Sequence, residues 1–370
     1  MRIKTFEVFG LLGREDTLRL TFNDDINIIT GRNGAGKTSL LKLLWYILSG
    51  NILQALKEVD FKKATLTTTD YECTIYRLTQ MTCSIDWSDG QTQESFEDLR
   101  DDDGDVVVNA EDQANRKLSQ TGSSVFLPTF RRIEGGFSIG EGRVNVLAGA
   151  KADIEESLVA LSKKLSKANH VFVASLSTVD VVNLLTRQYT DLSEEYNNHQ
   201  QKTSQEIILQ IKKFETSSSN ADQLDLANDV LAQIRGRIEG MEGARETIMK
   251  PLEAIRVLVM KLFRHSGIKL SKNLSFGDAA NAVNSDKLSA GEKQMLSFIA
   301  YNAFYKNAVV FIDEPELSLH VDWQRQLFPI LQGQQSSNQF VIATHSPFIY
   351  SKYPDKEIQI DSERGDEDAS

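Results

Sequence analysis

Residues 31–38 read Gly31-Arg32-Asn33-Gly34-Ala35-Gly36-Lys37-Thr38, and this stretch decides the fold. It satisfies the pattern G-x-x-x-x-G-K-[ST], in which glycines let backbone N–H groups close around phosphate oxygens. The apolar run Ile26-Asn27-Ile28-Ile29-Thr30 precedes it, and Leu41, Leu44 and Leu48 behind it share one helical face. Strand, glycine loop and helix in that order aim the positive end of a helix at an anion. Asn33, Gly34, Ala35, Gly36, Lys37, Thr38 and Ser39 are therefore expected to contact a nucleotide. Lys37 would reach the β- and γ-phosphates of ATP, and Thr38 would ligate Mg2+.

Working outward, Val309-Val310-Phe311-Ile312-Asp313-Glu314 is an apolar strand ending in two carboxylates. The C-terminal edge of a parallel sheet is where ligands bind. Asp313 is placed to hold Mg2+, and Glu314 to orient or deprotonate an attacking water. In Leu288-Ser289-Ala290-Gly291-Glu292-Lys293-Gln294, Ser289 would cap a helix whose N–H groups form a second anion site. The same Ser-x-x-Glu spacing is also a capping box that needs no ligand. Val341-Ile342-Ala343-Thr344-His345 is another strand, ending in a single histidine.

Taken in order, these motifs resemble those of ABC-type ATPases, and residues 288–294 are similar to the signature motif of the SMC, RecF and OLD-like members. Ser318-Leu319-His320 resembles a D-loop, and His345 the switch histidine that contacts the γ-phosphate. The resemblance covers residues 1–48 and 285–347 well and implies two ATP molecules held between two heads, with Ser289 and Gly291 acting in trans. The resemblance therefore implies an ATP-dependent homodimer or higher oligomer. One departure stands out: Val125-Phe126-Leu127-Pro128-Thr129-Phe130-Arg131-Arg132 lacks the Gln that many members carry there. Arg131 or Arg132 would sense phosphate in its stead or bind an acidic face of a neighbour. The run Asp313-Glu314-Pro315-Glu316-Leu317-Ser318-Leu319-His320 looks most like OLD-like and related bacterial ATPases. Several of those serve in phage-defence or toxin modules and control a nuclease encoded beside them. Nothing beyond Ile360 reads as a nuclease, so this resemblance implies a separate effector protein.

Composition narrows the alternatives. The 370 residues carry a net charge of −11, which argues against a surface that binds nucleic acid over its whole area. A local basic groove remains compatible. Lys163, Lys164, Lys167, Lys212 and Lys213 would touch DNA phosphates in an SMC/RecF-like repair ATPase, or form a solvated helix face. No apolar run reaches the ~18 residues of a membrane span, so any membrane role would require a separate partner; a cytoplasmic protein acting without a membrane is expected. A transporter ATPase subunit is further disfavoured by the long helical middle and the absent Gln. Cys73 and Cys83, with no His nearby, read as two buried thiols.

The fold class expected is α/β: an ABC-type P-loop head with an antiparallel β-subdomain and an inserted helical arm, a coiled-coil hairpin. Residues 3–22 read as a strand pair, 64–87 as antiparallel strands, and 88–122 as polar loops. Apolar residues at Ala227, Leu231, Ile234, Ile238, Met241 and Ile248 keep a three-four spacing, with Arg245 the polar exception, and predict a coiled-coil seam. Pro251 is a point for a kink. A weaker pattern, Val182 to Phe214, supplies the antiparallel partner, and both a projecting hairpin and a compact helical subdomain fit the spacing. The head would comprise residues 1–148 and 265–370, and the insertion 149–264.

Overall fold

The computed structural model describes residues 1–101, 103, 106–129, 157–174, 178–216, 223–265, 289–334 and 336–361. They fall into two compact units, Met1–Leu176 with Ala290–Ser370, and Ser177–Ser289.

The first unit opens with the antiparallel pair β1 (Ile3–Phe9) and β2 (Thr17–Thr21), followed by β3 (Ile26–Thr30), α1 (Lys37–Leu48) and α2 (Ile52–Glu58). β4 (Lys63–Thr68), β5 (Glu72–Arg77), β6 (Cys83–Ser88) and β7 (Gln93–Phe96) complete an antiparallel sheet of order β2-β1-β4-β5-β6-β7. A small hairpin, β8 (Leu99–Arg100) with β9 (Val106–Val108), and α3 (Ala110–Leu118) lead to β10 (Ser124–Leu127). Then come α4 (157–165) and β11 (His170–Phe172). After the second unit the chain returns as α7 (Ala290–Phe304), β12 (Val309–Asp313), α8 (Val321–Gly333), β13 (Gln339–Ala343), α9 (Pro347–Tyr350) and β14 (Glu357–Gln359). These strands build a parallel sheet of order β11-β10-β12-β13-β3-β14.

The sequence patterns explain the two sheets. β4 and β6 alternate buried and half-buried residues, as strands with one face on a core do, whereas every residue of β3, β12 and β13 is buried. Helix α1 lies between the sheets, packing on β12 and β13 of one and β4 of the other. It is accordingly apolar on most sides beyond its first turn: Leu40, Leu41, Leu43, Leu44, Trp45, Ile47 and Leu48 are all buried. Gln339 on β13 joins the sheets from within. Its amide oxygen accepts from the Ile3 N–H at 2.7 Å, and its nitrogen donates to the carbonyls of Ile3 and Asn23, both at 2.8 Å.

A second buried polar chain ties α1 to the far edge of the parallel sheet. The Trp45 indole N–H donates to Ser124 Oγ at 3.1 Å, and Ser124 Oγ lies 2.8 Å from His170 Nδ1. Trp45 donates, so the Ser124 hydroxyl is free to donate onward and Nδ1 accepts. The proton then rests on the buried Nε2, and the backbone of Thr121 and Leu118 beside the ring opposes the effect of burial on its pKa. Burial holds the imidazole well below its usual range, at about 4.

The structure differs from the sequence reading in two places here. Residues 88–122 hold β7, β8, β9 and α3, the last burying Ala110, Glu111, Ala114 and Leu118 on one narrow face. With so few large apolar residues, its periodicity is hard to see in the sequence. β11 pairs in the parallel sheet although it falls within the stretch 149–264 read as insertion. Cys73 and Cys83 are buried free thiols on adjacent strands, out of register, because Cys73 faces Trp87 and Cys83 faces Arg77. Burial raises both thiols, Cys83 to about 12.

The second unit is a pair of long helices, α5 (Thr178–Thr216) and α6 (Gln223–His265), with α6 running through Pro251. Gln210 bonds Gln233, and Glu206 pairs with Arg237, so the helices run antiparallel. On α6 the half-buried row is Ala227, Val230, Ile234, Arg237, Met241, Ala244 and Ile248. Leu231 and Ile238 are 62% and 48% exposed, and Arg245 is exposed too. The apolar stripe is wider than two helices can cover, so one of its rows remains outside the seam. No described helix is long and apolar enough to cross a membrane.

Candidate functional site

The loop after β3 turns into α1 over residues 31–36. Gly34 and Gly36 take φ of +82° and +92°, a region that favours glycine. Gly36 is the N-cap of α1 and has no side chain to cap it, so the first N–H groups of the helix remain available to an anion. Arg32, Asn33 and Gly34 form the exposed crest of the loop, Ala35 is buried beneath it, and Ser39 is half-buried. Arg14, in the connection between β1 and β2, also holds the loop. Its guanidinium donates to the carbonyls of Ala35 at 3.0 Å and Ile360 at 3.4 Å.

Lys37 is buried, and its ammonium donates to the carbonyls of Gly31 and Arg32 at 2.9 and 3.1 Å. Burial lowers its pKa, while Glu314, Glu316 and Asp313 raise it. The ammonium also lies 3.3 Å from His345 Nδ1. An ammonium has only donors, so Nδ1 accepts and the ring proton sits on Nε2. Nε2 is 3.8 Å from Glu314 Oε1. Burial, then the Lys37 charge, lowers the pKa of His345, which favours the neutral ring that this arrangement needs.

Asp313 ends β12 and is buried. Thr38 Oγ1 donates to both its oxygens, at 3.1 and 3.0 Å, and Thr129 Oγ1 donates to Oδ2 at 2.6 Å. Burial raises the Asp313 pKa, and these two hydroxyls oppose the shift. Glu314, the next residue, has φ +47° and its N–H donates to Ala343 O at 2.8 Å. That left-handed step lets the chain leave the strand while Glu314 stays beside His345. Glu316 accepts the His345 backbone N–H at 2.6 Å, and its other oxygen is buried with no hydrogen-bond partner.

The structure therefore brings Lys37, Thr38, Asp313, Glu314 and His345 together at the C-terminal edge of the parallel sheet. Thr38 lies 275 positions before Asp313 and Lys37 lies 308 before His345, yet the strands β3, β12 and β13 that lead into these residues are neighbours in the order β12-β13-β3. Ser289 directly precedes α7, and Gly291 lies in its first turn. A Cβ on Gly291 would stand 2.4 Å from the Ser318 carbonyl oxygen, so this glycine has a steric reason within its own chain. Ser318, at φ +72°, and His320, whose ring caps α8 through the Asp322 N–H, form the turn between Glu314 and α8. Arg131 and Arg132 lie outside the described residues. Arg14, Thr129 and Glu316 were not singled out as site residues by the sequence; only the absence of Gln near Thr129 marked that segment.

A hydroxyl and a carboxylate within hydrogen-bond distance supply hard oxygen donors of the kind a divalent cation takes. An uncapped helix N-terminus and a lysine beside them supply anion contacts. The arrangement suits a nucleotide phosphate with its cation.

Comparison with known proteins bears on the same chemistry. The retron Ec83 probable ATPase of Escherichia coli is 35% identical over 76 residues, covering 17% of this chain and 14% of that protein. The chain thus matches only about a seventh of that relative's length. The Smc head domain of Pyrococcus furiosus, solved with an extended coiled coil and bound to the C-terminal domain of ScpA, is 12% identical at a TM-score of 0.41, covering 98% of this chain and 94% of that one. The Pyrococcus yayanosii Smc head, with a coiled coil and joint, is 12% identical at 0.40, covering 98% and 96%. The family profile of the AAA ATPase domain matches residues 1–350, and the chain belongs to that ATPase family.

Proposed function

We propose that this ATPase binds ATP with Mg2+, closes around it as a homodimer or higher oligomer, and controls a separate effector protein in phage defence. The observation that carries the nucleotide chemistry is the convergence of Lys37, Thr38, Asp313, Glu314 and His345 within bonding reach of one another. In this reading the backbone from Asn33 to Ser39 wraps the phosphates, and Lys37 turns from the Gly31 and Arg32 carbonyls toward the β- and γ-phosphates. Thr38 and Asp313 hold Mg2+, which would neutralise phosphate charge when bound. Glu314 takes a proton from the attacking water, and the neutral His345 donates its Nε2 proton toward the γ-phosphate. Ser289 and Gly291 complete the site of the opposite subunit. The coiled-coil insertion is the helical pair α5 and α6, which follows β11 rather than beginning at residue 149, and the protein acts in the cytoplasm.

The retron ATPase relative supports the defence role, and the −11 net charge weighs against DNA as the main ligand. The test is the solution mass of Glu314→Gln with and without ATP and Mg2+, read together with the proteins that co-purify. We expect binding without appreciable turnover, a mass that doubles or more with ATP, and a bound effector. A mass indifferent to ATP would remove the sandwich mechanism, and wild-type turnover would remove Glu314 as the base.

A further inference from the structure

Three hydrogen bonds reach the Asp313 carboxylate from two hydroxyls, and the two hydroxyls do different things. Thr38 has one proton, shared between Oδ1 at 3.1 Å and Oδ2 at 3.0 Å, so by itself it leaves the carboxylate free to exchange its oxygens. Thr129 donates to Oδ2 alone, at 2.6 Å. The topology gives Thr129 this reach. β10 runs parallel to β12 with Leu127 opposite Ile312, so the chain leaving β10 passes beside Asp313, and Thr129, two positions past β10, reaches its carboxylate. This second donor, from a separate element, fixes which oxygen is spent on the protein.

We propose that Thr129 is a positioning residue for the divalent cation: by capping Asp313 Oδ2 it presents Oδ1, together with the Thr38 hydroxyl oxygen, to the metal. This rests on the reading of Asp313 as a cation-holding residue. It also assigns work to a segment, residues 125–132, that has no Gln to offer. A carboxylate that helps hold a metal is generally held in turn by a second hydrogen bond, and removing that bond costs metal affinity rather than the site itself.

The test is a Mn2+ titration, followed by electron paramagnetic resonance, of the full chain with a non-hydrolysable ATP analogue. It is paired with the affinity for the same analogue in EDTA. Thr129→Val keeps the shape and removes the hydroxyl, and Thr129→Ser restores it. We expect Thr129→Val to weaken Mn2+ binding by roughly tenfold or more. Analogue affinity in EDTA should be unchanged, and Thr129→Ser should bind Mn2+ as the wild type does. Wild-type Mn2+ affinity in Thr129→Val, or equal weakening in Thr129→Ser, would overturn the proposal and leave Thr129 a buttress of a buried acid. Should Thr129→Val not fold, Thr129→Ala is read in the same way. A wild-type chain that binds the analogue in EDTA but gains no Mn2+ site would instead refute the cation role of Asp313, and the positioning role with it. Failure to bind the analogue at all would refute the nucleotide reading.

Discussion

Lys37 holds together a loop that without phosphate would have its carbonyls facing a buried charge. Its ammonium rests on two backbone oxygens and one imidazole nitrogen, all of them replaceable by phosphate oxygens. Removing it takes away a charge-assisted contact, worth up to ~3 kcal/mol. Lys37→Ala should therefore lose roughly ten- to a hundredfold in ATP affinity. A fluorescent-nucleotide titration checks this, and undiminished affinity would refute the phosphate assignment. At this scale the sequence was most informative where backbone geometry and side chain are local, as in residues 31–38. It was silent on Arg14, Thr129 and Glu316, whose partners Ala35, Asp313 and His345 lie on other elements. No local pattern distinguishes such a residue from an ordinary turn residue.

At the scale of elements, the helical pair shows what periodicity alone leaves open. Spacing reveals α5 and α6, because apolar residues kept three and four apart over many turns fit a long helix and no strand. The same spacing places Leu231 and Ile238 in one seam with Ile234, which the structure does not. Two helices bury a narrow stripe, and the Gln210–Gln233 and Glu206–Arg237 links set the rotation of each helix. Leu231→Gln should accordingly change the thermal stability of the helical unit by no more than ~0.5 kcal/mol, the range of surface substitutions. Ile234→Gln should cost ~1–3 kcal/mol, by placing an amide in the seam. Circular dichroism melts of the full chain compare the two, and equal effects would contradict the observed rotation. The opposite failure occurred at α3, where a helix resting on Ala110, Ala114 and Leu118 offers too little apolar signal to separate it from loop.

For the whole molecule, His170 makes stability depend on pH. The folded ring is held neutral down to about 4, whereas an unfolded histidine protonates near 6.5. Its contribution is thus complete above pH ~6.5, falls as the unfolded chain takes up the proton, and is exhausted near pH 4. A displacement of this size corresponds to about 3 kcal/mol. Urea midpoints measured from pH 7 to 4.5 should fall over this window, and His170→Asn should flatten that part of the decline. An unaltered slope in the variant would mean that other groups carry it.

The strand order has a consequence for how the protein is made. β3, whose residues 26–30 are all buried in the folded state, has β13 and β14 as its only sheet neighbours among the described strands. Both are synthesised more than 300 residues later. At ~5–20 residues per second, a ribosome leaves β3 unpaired for roughly fifteen seconds to a minute. Through that interval the phosphate-binding loop has no sheet to anchor it, so nascent chains cannot hold nucleotide, and the apolar strand is exposed to chaperones and to neighbouring chains on the same messenger.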